Sequence, residues 1–140
     1  MKTTATEGKT AIENETGAAP PPGGPPWAPP FRPAEPPHRL SPLALAYIGD
    51  AVHALYVRQY ALSRAGRPHA LHRETARRVS AKAQARAARA IEPELTEEER
   101  DILRRGRNAK SRAAPKNADV LDYRHSTGFE RLVGYLYLCG

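Results

Sequence analysis

The segment "LALAYIGDAVHALYVRQY", residues 43–60, decides how the rest of the chain is read. Leu45, Ile48, Val52 and Leu55 recur at three- and four-residue steps, which predicts a helix with a core-facing stripe. Asp50 interrupts the stripe directly after Gly49, and no Lys or Arg stands within a helical turn; His53 and Arg58 are the nearest candidates. A carboxylate beside a core stripe is costly unless a partner offsets it. Ser41 is a good N-cap, Pro42 suits the first helical position and Gly66 suits a stop, so this helix is expected from about Ser41 to Arg64.

Reading outward, Pro68 opens a second element. "HALHRETARRVSAKAQARAARAI" (69–91) is rich in alanine and arginine, both strong helix formers, and forms one helix kinked at Ser80 or two helices divided there. "TEEERDILRRG" (96–106) has capping-box spacing between Thr96 and Glu99, acids in its first turn, Arg104 and Arg105 in its last, and Gly106 as its expected end. "RNAKSRAAPKNA" (107–118) reads as a loop. A last helix is expected from about Asp119 to Leu138, with Val120, Leu132, Val133 and Leu136 on its apolar face. No stretch alternates with period two, so residues 38–140 are expected to be all-α.

Residues 1–37 differ in kind. They hold ten of the 14 prolines, as in "APPPGGPPWAPPFRPAEPP" (19–37), and read as a disordered or polyproline arm. Trp27 and Phe31 would be anchors if a proline-reading domain bound it, although a dispensable extension fits the composition better. The formal charge of the 140-residue chain is +7. The arm carries three Lys/Arg against four Asp/Glu, so the excess lies in residues 38–140, with 19 against 11. An anionic partner is expected. One cysteine, Cys139, excludes an internal disulfide and fits a reducing, cytoplasmic setting. No apolar run approaches the roughly 20 residues of a membrane span, and no apolar segment follows Met1-Lys2 as in a signal peptide.

The last helix repeats the oddity of the first. Glu130 lies in "STGFERLVGYLYL" (126–138), four residues before Gly134. Two helices thus each carry one acid near a glycine. If they cross at these glycines, Asp50 and Glu130 share one site, and two hard carboxylates suit Mg²⁺, which keeps several waters. The alternative is that each acid pairs with an arginine, such as Arg131 or Arg58 for Glu130. Two basic constellations accompany them. "RRGRNAKSR" (104–112) supplies Arg105, Arg107, Asn108 and Lys110 for phosphate contacts, with Lys116 following, or is simply a solvated charge run. Arg78, Lys82, Arg86 and Arg89 form a ridge about 16 Å long if they share one helix. His53, His69, His72 and His125 lack zinc-site spacing and read as ordinary surface or core histidines. The tyrosines at 47, 56, 60, 123, 135 and 137 fit core or interface packing.

Five ordered blocks, "LALAYIGDAV", "VSAKAQA", "RGRNAKS", "PKNADV" and "FERLVGYLYL", resemble Mini-ribonuclease III, the compact bacterial branch of the ribonuclease III family. The resemblance covers about residues 40–138. It implies an all-helical, dimeric endoribonuclease domain that needs Mg²⁺ and cuts double-stranded RNA. It also implies a task in maturing the ends of precursor 23S ribosomal RNA, with a ribosomal protein as a further candidate partner. Asp50 matches the family's catalytic, metal-binding aspartate, and Glu130 its metal-binding glutamate. Ala46, Leu43 and Thr127 stand where full-size ribonuclease III has further acids, a loss shared by the compact branch. Family chains continue with another helix after "YLYL", so the resemblance leaves an expectation that this helix is missing from the domain at 38–140. A non-catalytic double-stranded-RNA-binding module, and an interaction domain baited by the proline arm, remain the alternatives from residues alone.

Overall fold

The computed structural model describes residues 31–64, 66–109, 116 and 119–140. Five α-helices and two short 3₁₀ turns make up the described structure, which contains no strand. Helix α1 runs Pro42–Ser63, α2 Pro68–Val79, α3 Ala81–Ile91, α4 Glu97–Asn108 and α5 Val120–Cys139. The turns are Pro37–Arg39, before α1, and Glu92–Glu94, between α3 and α4. Most of the N-terminal arm, together with Lys110 and Arg112 of the basic segment, lies outside the described residues.

The helix starts follow the caps expected of them. The Ser41 hydroxyl accepts from the Ala44 N–H at 3.1 Å, with Pro42 at the first helical position. Thr96 and Glu99 close a full capping box at 3.2 and 2.9 Å. Asp119, expected only as the approximate start of the last helix, is its N-cap, and its carboxylate accepts from the Leu121 and Asp122 N–H groups. Ser80 settles the open choice between one helix and two. Its backbone is extended, its hydroxyl donates to the Arg77 carbonyl at 2.9 Å, and the same oxygen accepts from the Ala83 N–H at 3.2 Å. One serine therefore ends α2 and caps α3.

Helix α5 is the central element, packed by α1, α3 and α4. Leu45, Val52, Val57 and Ala61 of α1, Ala85 and Ala88 of α3, Ile102 and Leu103 of α4, and Phe129 and Leu132 of α5 are buried. Several expected core positions are not. Leu55 and Val120 are more than half exposed, and Leu136 is exposed as well. Leu45 and Val52 do face the core, but the stripe then turns to Val57 and Ala61, because α1 packs on both α5 and α2.

Gly106 does not end α4, which continues to Asn108. A Cβ on Gly106 would stand 2.8 Å from Gly128 Cα, and one on Gly128 would stand 2.6 Å from the Leu103 carbonyl. The glycine is required by this close approach of α4 to α5 and not by a change of direction. Arg107 and Asn108 consequently belong to the last helical turn instead of to a loop.

Candidate active site

A second glycine contact brings the two acids together. Gly49 and Gly134 are both buried where α1 crosses α5. A Cβ on Gly49 would overlap the Glu130 carbonyl, and one on Gly134 would overlap the Leu45 carbonyl. No side chain separates the backbones, so Asp50, next to Gly49, and Glu130, one turn before Gly134, sit side by side. Asp50 is exposed, so it avoids the desolvation cost that its place beside an apolar stripe suggests. Glu130 is partly buried. Burial, and then the negative charge of Asp50, raise its pKa from 4.5 to about 7, while the Gln84 side chain acts the other way.

Neither acid pairs with a base among the described residues. Among the described residues, the ion pairs are Glu74 with Arg77 and Arg78, Asp122 with Arg89, and Asp101 with Arg105. Arg131, a candidate partner for Glu130, is buried instead against α4, where its Nη1 donates to the Ile102 carbonyl at 3.3 Å. Arg58 is exposed and takes part in none of these pairs. The arginine-pairing alternative is therefore not what the fold builds.

Two polar side chains missed as site residues line this crossing. Gln84 of α3 is 2% exposed, and its Nε2 finds no hydrogen-bond partner among the described residues. His53, one turn after Asp50, packs edge-on against Phe129 with ring centroids 5.0 Å apart, and its Nε2 also lacks a partner. Burial lowers the His53 pKa, against the opposing pull of the Arg78 backbone and Asp50. Its i+3 spacing from Asp50 was a usable signal; Gln84 offered only an amide in an alanine-rich helix. No group of three or more His, Cys, Asp or Glu that could hold a metal occurs among the described residues. The pair is still a sufficient protein ligand set for Mg²⁺, which is commonly held by one or two carboxylates and completes its shell with water. A buried Gln84 donor and an unpartnered His53 ring nitrogen beside the pair fit a polar, ligand-binding site.

Next to His53 opens a concavity of about 600 Å³, lined by Arg77, Arg78, Ser80, Lys82 and Arg86 among others. The expected single ridge is broken at Ser80, yet Arg78, Lys82 and Arg86 converge on this hollow from two helices. Arg89 is diverted to Asp122 at 3.3 Å. Arg78 lies over the Tyr60 ring, 4.4 Å from its centroid, and binds Glu74. Of the other basic group, Arg105 pairs with Asp101 at 2.9 Å, Arg107 is partly buried, and Asn108 and Lys116 are exposed; Lys110 lies outside the described residues.

Comparison with known proteins fixes the family. Residues 43–140 match the model of the ribonuclease III domain. The chain belongs to the ribonuclease III family. Within it, the chain is 54% identical over 102 residues to Mini-ribonuclease 3 of Thermoanaerobacter sp., covering 72% of each protein. It is 53% identical over 105 residues to Mini-ribonuclease 3 of Symbiobacterium thermophilum, covering 74% of this chain and 81% of that one. A crystal structure of a Fusobacterium nucleatum protein superimposes with a TM-score of 0.67 at 31% identity, covering 71% of this chain and 81% of the other. The Mini-ribonuclease III resemblance is thereby shown, and the chain is a ribonuclease III-type endoribonuclease. No helix among the described residues is long and apolar enough to cross a membrane.

Proposed function

We propose that this ribonuclease III-type chain cuts double-stranded RNA with the help of Mg²⁺ held by Asp50 and Glu130. The carrying observation is the Gly49–Gly134 crossing, which sets two carboxylates side by side with no basic partner among the described residues. When bound, the ion supplies Lewis acidity that activates water and neutralises the phosphate. Asp50 and Glu130 would hold it. Arg78, Lys82 and Arg86 receive backbone phosphates in the adjoining hollow. Arg105, Arg107, Asn108, Lys110 and Lys116 form a second set of candidate contacts. A-form RNA offers phosphates and 2′-hydroxyls to such a surface and little base readout.

The domain at 38–140 works as a homodimer in the cytoplasm, with the proline-rich arm preceding it. An exposed apolar row on α1 supports the dimer: Leu43, Tyr47, Leu55 and Leu62 are each more than half exposed and fall on one side of the helix. Two such copies present two sites to the two strands of one duplex. Family membership makes precursor 23S ribosomal RNA the first natural substrate to test, with a ribosomal protein as the accessory to test beside it. Purified chain incubated with a plain RNA duplex should cut it only when Mg²⁺ is added. Absence of cutting at any Mg²⁺ concentration, with duplex still bound, would leave a non-catalytic RNA-binding module.

A further inference from the structure

We propose that Gln84 is a positioning residue, whose side-chain amide holds the Glu130 carboxylate in the orientation that takes a divalent cation together with Asp50. The inference rests on the reading of Asp50 and Glu130 as the metal ligands. Helix α3 meets α5 through a floor of alanine, with Ala85 and Ala88 at 0% exposure. Into this floor the chain places one long amide, 2% exposed and among the largest fully buried side chains. An apolar side chain of that length would fill the same space without a polar group to satisfy. Gln84 instead carries a buried Nε2 that finds no partner among the described residues. Such a group calls for an acceptor.

The chemistry beside it supplies one. The Gln84 amide lies against the Glu130 carboxylate and favours its charged form, opposing burial and Asp50. The terminal torsion of a glutamate is broad and nearly two-fold, so nothing intrinsic fixes the plane of its oxygens. An amide N–H donated to one oxygen fixes that plane and leaves the second oxygen for the cation. Metal-ligating carboxylates are held by outer hydrogen bonds in this way, and losing such a partner weakens metal affinity by about 10- to 100-fold. A Glu130 oxygen is the acceptor that the buried Gln84 Nε2 calls for.

The test is Mn²⁺ titration calorimetry on the full chain without RNA, comparing wild type, Gln84→Met and Asp50→Asn. Methionine keeps the length and approximate volume and removes the donor. The expected result is an affinity for Mn²⁺ at least ~10-fold weaker in Gln84→Met, with a melting temperature equal to or above that of wild type. A Gln84→Met chain that melts lower yet binds Mn²⁺ as wild type does would make Gln84 a packing residue and overturn the proposal. If wild type itself binds no Mn²⁺, the metal-site reading fails first, and this inference with it. Should Gln84→Met not fold, wild type still decides. The Gln84 side-chain amide resonance should shift on Mg²⁺ addition, and should not shift in Glu130→Gln. A resonance unmoved by Mg²⁺ in wild type would overturn the proposal.

Discussion

Gly49 of α1 and Gly134 of α5 each stand where the backbone of the other helix passes. The contact leaves no room for a methyl group on either side, since the obstacle is a carbonyl oxygen and not the end of a flexible side chain. The same crossing sets Asp50 beside Glu130, so the pair of glycines that packs the helices also brings the two acids together.

Gly49→Ala should therefore destabilise the fold although alanine is the better helix former. Relieving the overlap requires α1 and α5 to separate, at about 3 kcal/mol or more, against a gain of about 1 kcal/mol in helix propensity. Urea unfolding of the variant should show a lower midpoint at a similar slope. A midpoint equal to that of wild type would mean that the helices tolerate a wider crossing.

Asp50→Asn is close to isosteric and lies at an exposed position, so its effect on folding should be small. Cleavage of an RNA duplex should fall by at least ~10²-fold if the ion it helps hold contributes several kcal/mol at the transition state. Duplex binding should persist, because a negative charge leaves the surface facing the RNA. Glu130→Gln should behave alike in cleavage. A variant that binds duplex and cuts it at the wild-type rate would remove Asp50 from the site.

Glu130 makes metal-free stability depend on pH in a defined direction. Burial and the neighbouring Asp50 raise its pKa to about 7 in the folded chain, above the ordinary 4.5. Between these values the unfolded chain has released the proton and the folded chain keeps it. The unfolded state binds fewer protons, so rising pH lowers stability through this window, and the loss is complete above about pH 7. Glutamine has no proton to lose. In a chelating buffer, Glu130→Gln should melt above wild type at about pH 8, and the gap should close by about pH 4. Mg²⁺ at the higher pH should narrow the gap again by binding the folded wild type. A gap independent of pH would assign the difference to packing alone.

The helices and both acids were legible because their signals are local. Ser41 and Thr96 with Glu99 cap as their spacing implies, and glycine beside an acid in two apolar helices pointed to a crossing. What escaped the sequence depends on partners distant along the chain. Gly106 has the form of a helix stop, and only the approach of Gly128 explains why the helix runs through it. Leu55, Val120 and Leu136 satisfy a helical stripe yet face outward, since periodicity gives a face without saying what covers it. Gln84 carries no local mark at all; its neighbour Glu130 lies 46 positions later in the numbering.

The same lesson bears on the basic residues, where density in sequence and convergence in space favour different groups. Arg105 is engaged with Asp101, and Arg107 completes a helix end, where a cation is also favoured by the dipole. Lys82 and Arg86 are exposed, take part in none of the ion pairs among the described residues, and line the hollow that adjoins His53 and hence Asp50. Replacing both with alanine should weaken duplex binding equally for unrelated sequences, because phosphates carry no sequence information. Each lost phosphate contact should lower the slope of log affinity against log salt by about 0.9, if the value for B-form DNA carries over. Stability should change by less than ~0.5 kcal/mol, since both positions are exposed helix sites where alanine is favourable. Arg105→Ala, by contrast, should leave the salt slope nearly unchanged, with Asp101 already offsetting its charge. Binding isotherms across a salt series, with thermal melts alongside, separate the two groups. A slope reduced by Arg105→Ala and untouched by the Lys82/Arg86 double variant would move the RNA path from the α2–α3 hollow to the end of α4.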